Sequence, residues 1–150
     1  MASKIYGDWA KVKKFTRNFP QTLKASLDEA EAKEAEEVRQ AITDAIIGQE
    51  LSHAPLKPDT IRRKGHSDIL VDTGAFAHSF TVEDYGGDKI IYPKGNTDTG
   101  ITMAELAIYH EYGTRKMPPR PTIRPVYEKM KGEVQEDLIE VVENEINKYR

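Results

Sequence analysis

Between Pro20 and Gly48 the residues Leu23, Leu27, Ala30, Val38, Ala41 or Ile42, and Ala45 or Ile46 recur at steps of three and four. That repeat belongs to a helix with one buried face. Pro20 suits the first helical position, where its missing N–H costs nothing. Acids in the early turns, among them Asp28, Glu29 and Glu31, suit the positive end of the helix dipole. Gly48 supplies a stop. The spacing predicts a helix over 21–47, roughly 40 Å long at the standard rise per residue. A second repeat of the same kind, through Tyr127, Met130, Val134, Leu138, Val141 or Val142, Ile146 and Tyr149, predicts a helix over 124–148. Two such rods take up about half of the chain.

What lies between them is short and punctuated. Pro55 and Pro58 bracket a turn, and Pro58 to Lys64 has room for one or two helical turns before Gly65. Ile69 to Val71 is a brief apolar run. Ser79 to Glu83 alternates, with Phe80 and Val82 on one face, and Lys89 to Tyr92 is a second strand candidate. The loop Asp84-Tyr85-Gly86-Gly87-Asp88 between them suits a hairpin. Thr102 followed by Glu105 forms a capping box for a short helix over 103–112, closed by Gly113. The prolines at 118, 119, 121 and 125 predict an extended course for Arg115 to Pro125. The expected fold class is α+β, two long amphipathic helices packed on a small antiparallel sheet. The expected organisation is a basic and aromatic N-terminal arm over 1–20, carrying Trp9, Phe15 and Phe19, followed by one domain over 21–150.

Composition excludes several classes. A chain of 150 residues suits one domain with a real core. It has no cysteine, so disulfides, thiolate metal sites and a cysteine nucleophile are ruled out. The net charge of −3 argues against a general nucleic-acid coat. A mean hydropathy of −0.64 and the lack of a long apolar run argue against a transmembrane helix. The first nine residues carry no apolar core of a secretory signal.

Ile69 to Ala75 contains Asp72-Thr73-Gly74, similar to the active-site loop of retroviral-type aspartic proteases, which pair two such aspartates across a dimer. The opposing reading is that Asp72 caps a short helical turn. A retroviral protease subunit is almost wholly β, and two long helices run against it. His110-Glu111 has the start of a zinc-protease helix motif, but the second histidine would fall at Thr114, so the motif fails. Glu105 and Glu111 lie six residues apart, about 240° around a helix, and do not face each other. No catalytic residue, metal or cofactor is expected. The basic arm leaves open a reading as a DNA-binding accessory protein through charge and stacking, beside the reading as a docking segment on a neighbouring subunit.

Four segments in order carry a resemblance. Pro55 to Lys64 (PLKPDTIRRK), Ile69 to Phe80 (ILVDTGAFAHSF), Ala107 to Thr114 (AIYHEYGT) and Met117 to Pro125 (MPPRPTIRP) resemble elements of tailed-phage virion-morphogenesis proteins. Their order and spacing are similar to the HK97 gp10-like family and to tail-completion proteins of Mu-like and P2-like phages. Phe76 stands where leucine is usual there, and Thr122 where phenylalanine is usual. The resemblance implies a non-enzymatic structural protein of the virion neck, assembled in the host cytoplasm. It would be a homomeric ring subunit, commonly of six copies, that completes or terminates the tail and joins it to the capsid connector. Implied partners are connector or stopper proteins, tail tube or terminator proteins, and genomic DNA passing through the lumen without sequence-specific binding. No membrane is implied. The residues carrying the motifs are Thr73, Gly74, Ser79, Glu111, Gly113, Thr114, Arg120, Pro121 and Arg124. Thr73 and Gly74 are expected to organise a short helical turn that feeds the strand at Ser79. Arg115 to Pro125 is expected to lie along another subunit, with Arg120 and Arg124 meeting an acidic face around Glu31, Glu34 and Glu37.

Overall fold

The computed structural model describes residues 7–149. Its elements, in chain order, are α1 (Trp9–Ile47), α2 (Pro58–Lys64), a 3-10 turn (Ala77–Ser79), β1 (Phe80–Tyr85), β2 (Asp88–Pro93), α3 (Met103–Tyr112) and α4 (Ile123–Asn147). The expected α+β class holds: two long helices pack on a small two-stranded antiparallel sheet. α2 and α3 fall where the spacing predicts them, and α4 within one residue.

The N-terminal arm is a correction. Residues 1–6 of it lie outside the described residues, but Trp9 to Pro20 continue α1 as its first turns. Asp8 accepts from the Lys11 amide at 3.2 Å and caps the helix there. Pro20 therefore sits inside the helix, where a missing amide and a crowded carbonyl cost about 3 kcal/mol. Aromatic packing offsets it. Phe15 and Phe19, one turn apart, stack at 4.7 Å between ring centroids, and both meet Tyr149 edge-on at 5.1 and 5.8 Å. Phe15 and Phe19 are thus half-buried against Tyr149, just past the end of α4, and of the three only Trp9 is exposed.

Those ring contacts place the start of α1 beside the end of α4. At the other end Ile42, Ala45 and Ile46 of α1 share a core with Val126 of α4, so the two helices run antiparallel. Between these ends Ser26 Oγ donates to Glu145 Oε1 at 2.7 Å, and Lys148 pairs with the same carboxylate. The lysine first, then the serine, hold the Glu145 carboxyl below the usual range. Phe76, Ala77, Phe80, Met103 and Ala107 complete the core. Ile46, 1% exposed, lies within it. Burying a side chain of that size is worth about 1.5–3 kcal/mol.

At its turn end the hairpin is longer than the alternation suggested, β1 running two residues further to Tyr85 and β2 starting one residue earlier at Asp88. Tyr85 pairs with Asp88 across Gly86 and Gly87, both at positive φ. A two-residue turn with positive φ at both centres matches the right-handed twist of its strands. Asp84 accepts from the Gly87 amide and pairs with Lys89, which locks the turn. Ile69 to Val71 forms no strand. Instead the Gln49 side-chain amide grips Ile69 from both sides, Oε1 accepting from its N–H at 2.7 Å and Nε2 donating to its carbonyl at 2.9 Å.

Candidate assembly joint

The four motif segments fold against one another at the junction of α3 and α4. α3 points Met103, Leu106 and Ala107 inward, and its Thr102 capping box is complete, with Glu105 bonded back to the Thr102 amide. At its other end Glu111 turns toward the next helix. Its Oε2 accepts from the amides of Thr122 and Ile123 at 2.9 and 3.1 Å, and its Oε1 from Arg124 at 3.0 Å. Thr122, the residue at the N-cap position of α4, makes no side-chain cap of its own. A carboxylate brought from eleven residues upstream therefore satisfies three donors that any helix start leaves open.

Gly113 makes this reach possible. It closes α3 as expected, but at φ 75°, ψ 178°, outside the left-handed helical basin. That backbone region is open essentially to glycine alone. A Cβ there would also sit 2.8 Å from Pro119 N and 2.9 Å from Met117 O. Thr114 and Met117 then exchange backbone hydrogen bonds at 2.9 and 3.2 Å, so the chain folds into a tight turn before it runs extended through the prolines.

Arg120 is the second correction. It is 7% exposed and not free to reach a neighbour. Its Nε donates to Ala54 O at 3.1 Å, its Nη2 to Pro55 O at 3.3 Å, and its amide to His110 O at 2.7 Å. His53 Nε2 meets Pro121 O at 2.9 Å, so with the Arg120 bond to Pro55 O the entry to the first motif segment is pinned to the last. Glu34, named as part of an acidic partner face, is 4% exposed and pairs with Lys33 at 3.1 Å on its own helix. Pro125 and Arg124 belong to the first turn of α4 rather than to the extended segment.

In the second motif segment Thr73 and Gly74 organise the turn as expected, whereas the Asp72 carboxylate caps no amide among the described residues. Thr73 Oγ1 accepts from the Ala75 amide at 3.3 Å, and Gly74, at φ 82°, accepts from the His78 amide at 3.1 Å. The 3-10 turn that follows delivers Ser79, whose hydroxyl donates to Phe76 O at 2.7 Å and whose carbonyl takes the Lys94 amide. Thr43 Oγ1 donates to Ala77 O at 3.0 Å and anchors the turn on α1. Phe76, in the place of leucine, packs on Phe80 at 5.5 Å and on the His110 ring at 5.2 Å. Burial first, then the Arg120 and His53 charges, push His110 down to about 4, and its Nδ1 has no partner. Thr122 is buried with an unpartnered hydroxyl. Asp72 is exposed, and the two-stranded sheet is not the β-rich scaffold that an aspartic protease subunit would need.

One surface of the joint was not anticipated from the sequence. Ile108 and Tyr112, one turn apart on the outer side of α3, are exposed together with Ile123 and Tyr127 on α4. Arg124 lies 6.0 Å from the centroid of the Tyr112 ring and links the two helices. Lys131 stands at 6.0 Å from the Tyr127 ring. Tyr112 is 67% exposed and Tyr127 57%. The sequence carries a signal for it, since positions 108 and 112 lie off the helix face defined by the buried 103 and 107. Among the described residues no group of three or more histidines and carboxylates could hold a metal, and no helix is long and apolar enough to cross a membrane. No protein-family model, curated protein or solved structure matches the chain.

Proposed function

We propose that the chain is a structural subunit of a homomeric ring at the head–tail junction of a tailed phage. In this role it completes or terminates the tail around the DNA channel, without catalysis. The observation that carries this reading is the aromatic and cationic patch of Ile108, Tyr112, Arg124 and Tyr127, held on the rigid Glu111 joint. Exposed aromatics beside arginine are the composition of an interface centre rather than of an idle surface. All four segments that carry the phage resemblance build or brace that joint, which supports a scaffolding role for them.

A ring needs two different complementary faces on each copy, so that contacts run head to tail and close. The patch supplies one. The exposed acids Asp28 and Glu29 of α1 supply the other, on a different helix and of opposite charge. Six copies is the number the resemblance implies. Connector or stopper proteins and tail tube or terminator proteins would lie above and below, and the net charge of −3 suits a lumen that DNA slides through.

The test is an infection in which this gene product is withheld, with the particles imaged by electron microscopy. Separate filled heads and tails are expected. Complete, joined virions would overturn the reading.

A further inference from the structure

A cleft of about 990 Å³ opens between α2, the loop before the 3-10 turn, α3 and the 115–118 turn. Its floor is apolar, formed by Leu70, Phe76, Met103 and Leu106, while Lys57, Arg63, Lys64, Lys116 and Arg120 stand in its walls. Only Asp72 and Asp98 oppose them there. Among the described residues, none of those five cations lies within ion-pair distance of a carboxylate. The Lys64 ammonium meets only the carbonyls of Asp68 and Val71, and the Arg120 guanidinium those of Ala54 and Pro55. Carbonyl dipoles solvate these charges without neutralising them. Of the five, Arg120 is buried and Lys64 half-buried, and a cation so placed without a counter-charge is costly. Lys57, Arg63 and Lys116 are exposed and add positive potential at the rim, so an anion brought into the cleft would be drawn in by all five.

Two further features belong to the same place. Leu70 on the floor holds φ 60°, a left-handed conformation that is strained for a non-glycine residue. The Gln49 amide gripping Ile69 maintains it. On the α3 side, the buried Nδ1 of His110 has no hydrogen-bond partner. Strain and unmet polar groups that persist together beside an apolar floor mark a surface arranged for something other than monomer stability.

We propose that this cleft binds an acidic peptide segment of another protein, one in which carboxylates flank a large aliphatic or aromatic side chain. The carboxylates meet Arg63, Lys116 and their neighbours, and the apolar side chain covers Leu70 and Leu106. A nucleic-acid backbone would use the cations but leave the apolar floor uncovered, so the floor favours a peptide. The inference rests on the cleft alone and stands or falls independently of ring formation.

The test is selection from a ribosome-displayed library of random heptapeptides on the full chain. A parallel selection uses the double variant Arg63→Glu/Lys116→Glu, whose two positions are exposed and whose folding is checked by circular dichroism and thermal melting. Expected are peptides with Asp or Glu beside Leu, Ile, Val or Phe, enriched on the unaltered chain alone. A selected peptide should bind the double variant at least about tenfold more weakly, a loss of about 1.4 kcal/mol. It should lose as much when its acids become amides, or when its apolar residue becomes serine. On binding, the chain's own amide shifts should change at Arg63, Leu106 and Lys116. No enrichment over the variant, enrichment of uncharged or basic sequences, or displacement of the peptide by a mixed-sequence oligonucleotide at equal concentration would overturn the proposal.

Discussion

The carboxylate of Glu111 spans from the end of α3 to the backbone of Arg124 and holds its amide at 3.0 Å, so one side chain joins two helices. With the Thr122 and Ile123 amides on the other oxygen, Glu111 is the N-cap that α4 does not carry in its own sequence.

Glu111→Ala should therefore destabilise the chain by about 2 kcal/mol, the upper range for losing a cap. Glu111→Gln should cost less, because an amide oxygen still accepts but brings no charge to the helix dipole. Urea unfolding of the three proteins orders them. Equal midpoints would show that the cap contributes nothing.

Gly113→Ala should cost more than Gly65→Ala, although both glycines have positive φ. At Gly65, φ 82°, nothing lies near an added Cβ, and about 1 kcal/mol is expected. At Gly113 the Cβ meets backbone atoms of Met117 and Pro119 inside 3.0 Å, so the turn itself must shift. Thermal melts compare the pair directly, and equal losses would contradict the argument.

These two residues also show what a sequence can and cannot disclose. Gly113 was legible as a helix stop from local spacing alone, and so were α2, α3 and α4. Glu111 was legible as a residue of the AIYHEYGT segment and as part of a metal motif that fails at Thr114, but not as a helix cap, because its partners lie eleven to thirteen residues away. Arg120 reads as a surface charge among prolines, since its stabilising carbonyls at Ala54 and Pro55 are remote in sequence. Pro20 reads as a helix start by local rules. Packing of Phe15 and Phe19 on Tyr149 overrides them, a contact that joins opposite ends of the chain.

Thr122→Val should be neutral or stabilising by up to about 1 kcal/mol. Its hydroxyl is buried without a partner, and valine keeps the shape while removing the unmet group. The Glu111 bond to the backbone of residue 122 is untouched by the change. A clear drop in melting temperature would mean that the hydroxyl has a role in the folded state.

His110 makes stability depend on pH. Its folded pKa of about 4 lies below the ordinary value of 6.5, so the unfolded chain binds more protons between those limits. Its contribution is fully present above pH 6.5 and is lost as pH falls toward 4. The loss is on the order of 3 kcal/mol at most. Unfolding free energies at pH 7.5, 6.5 and 5.5 (roughly the upper part of the window, above most carboxylate titration) should decline for the native chain. His110→Leu should flatten that decline. Parallel slopes would remove His110 from the account.

The central claim is that the Tyr112 and Arg124 patch is where copies of this chain meet. Native mass measurement over a rising concentration series, on the chain and on Ile108→Asp/Tyr112→Asp, tests it most directly. Both positions are exposed, so the variant should keep its unfolding free energy within about 0.5 kcal/mol of the native chain's. The account predicts a closed homomeric species for the native chain and a monomer for the variant at every concentration. A variant that assembles as the native chain does, or a native chain that stays monomeric throughout, would contradict it.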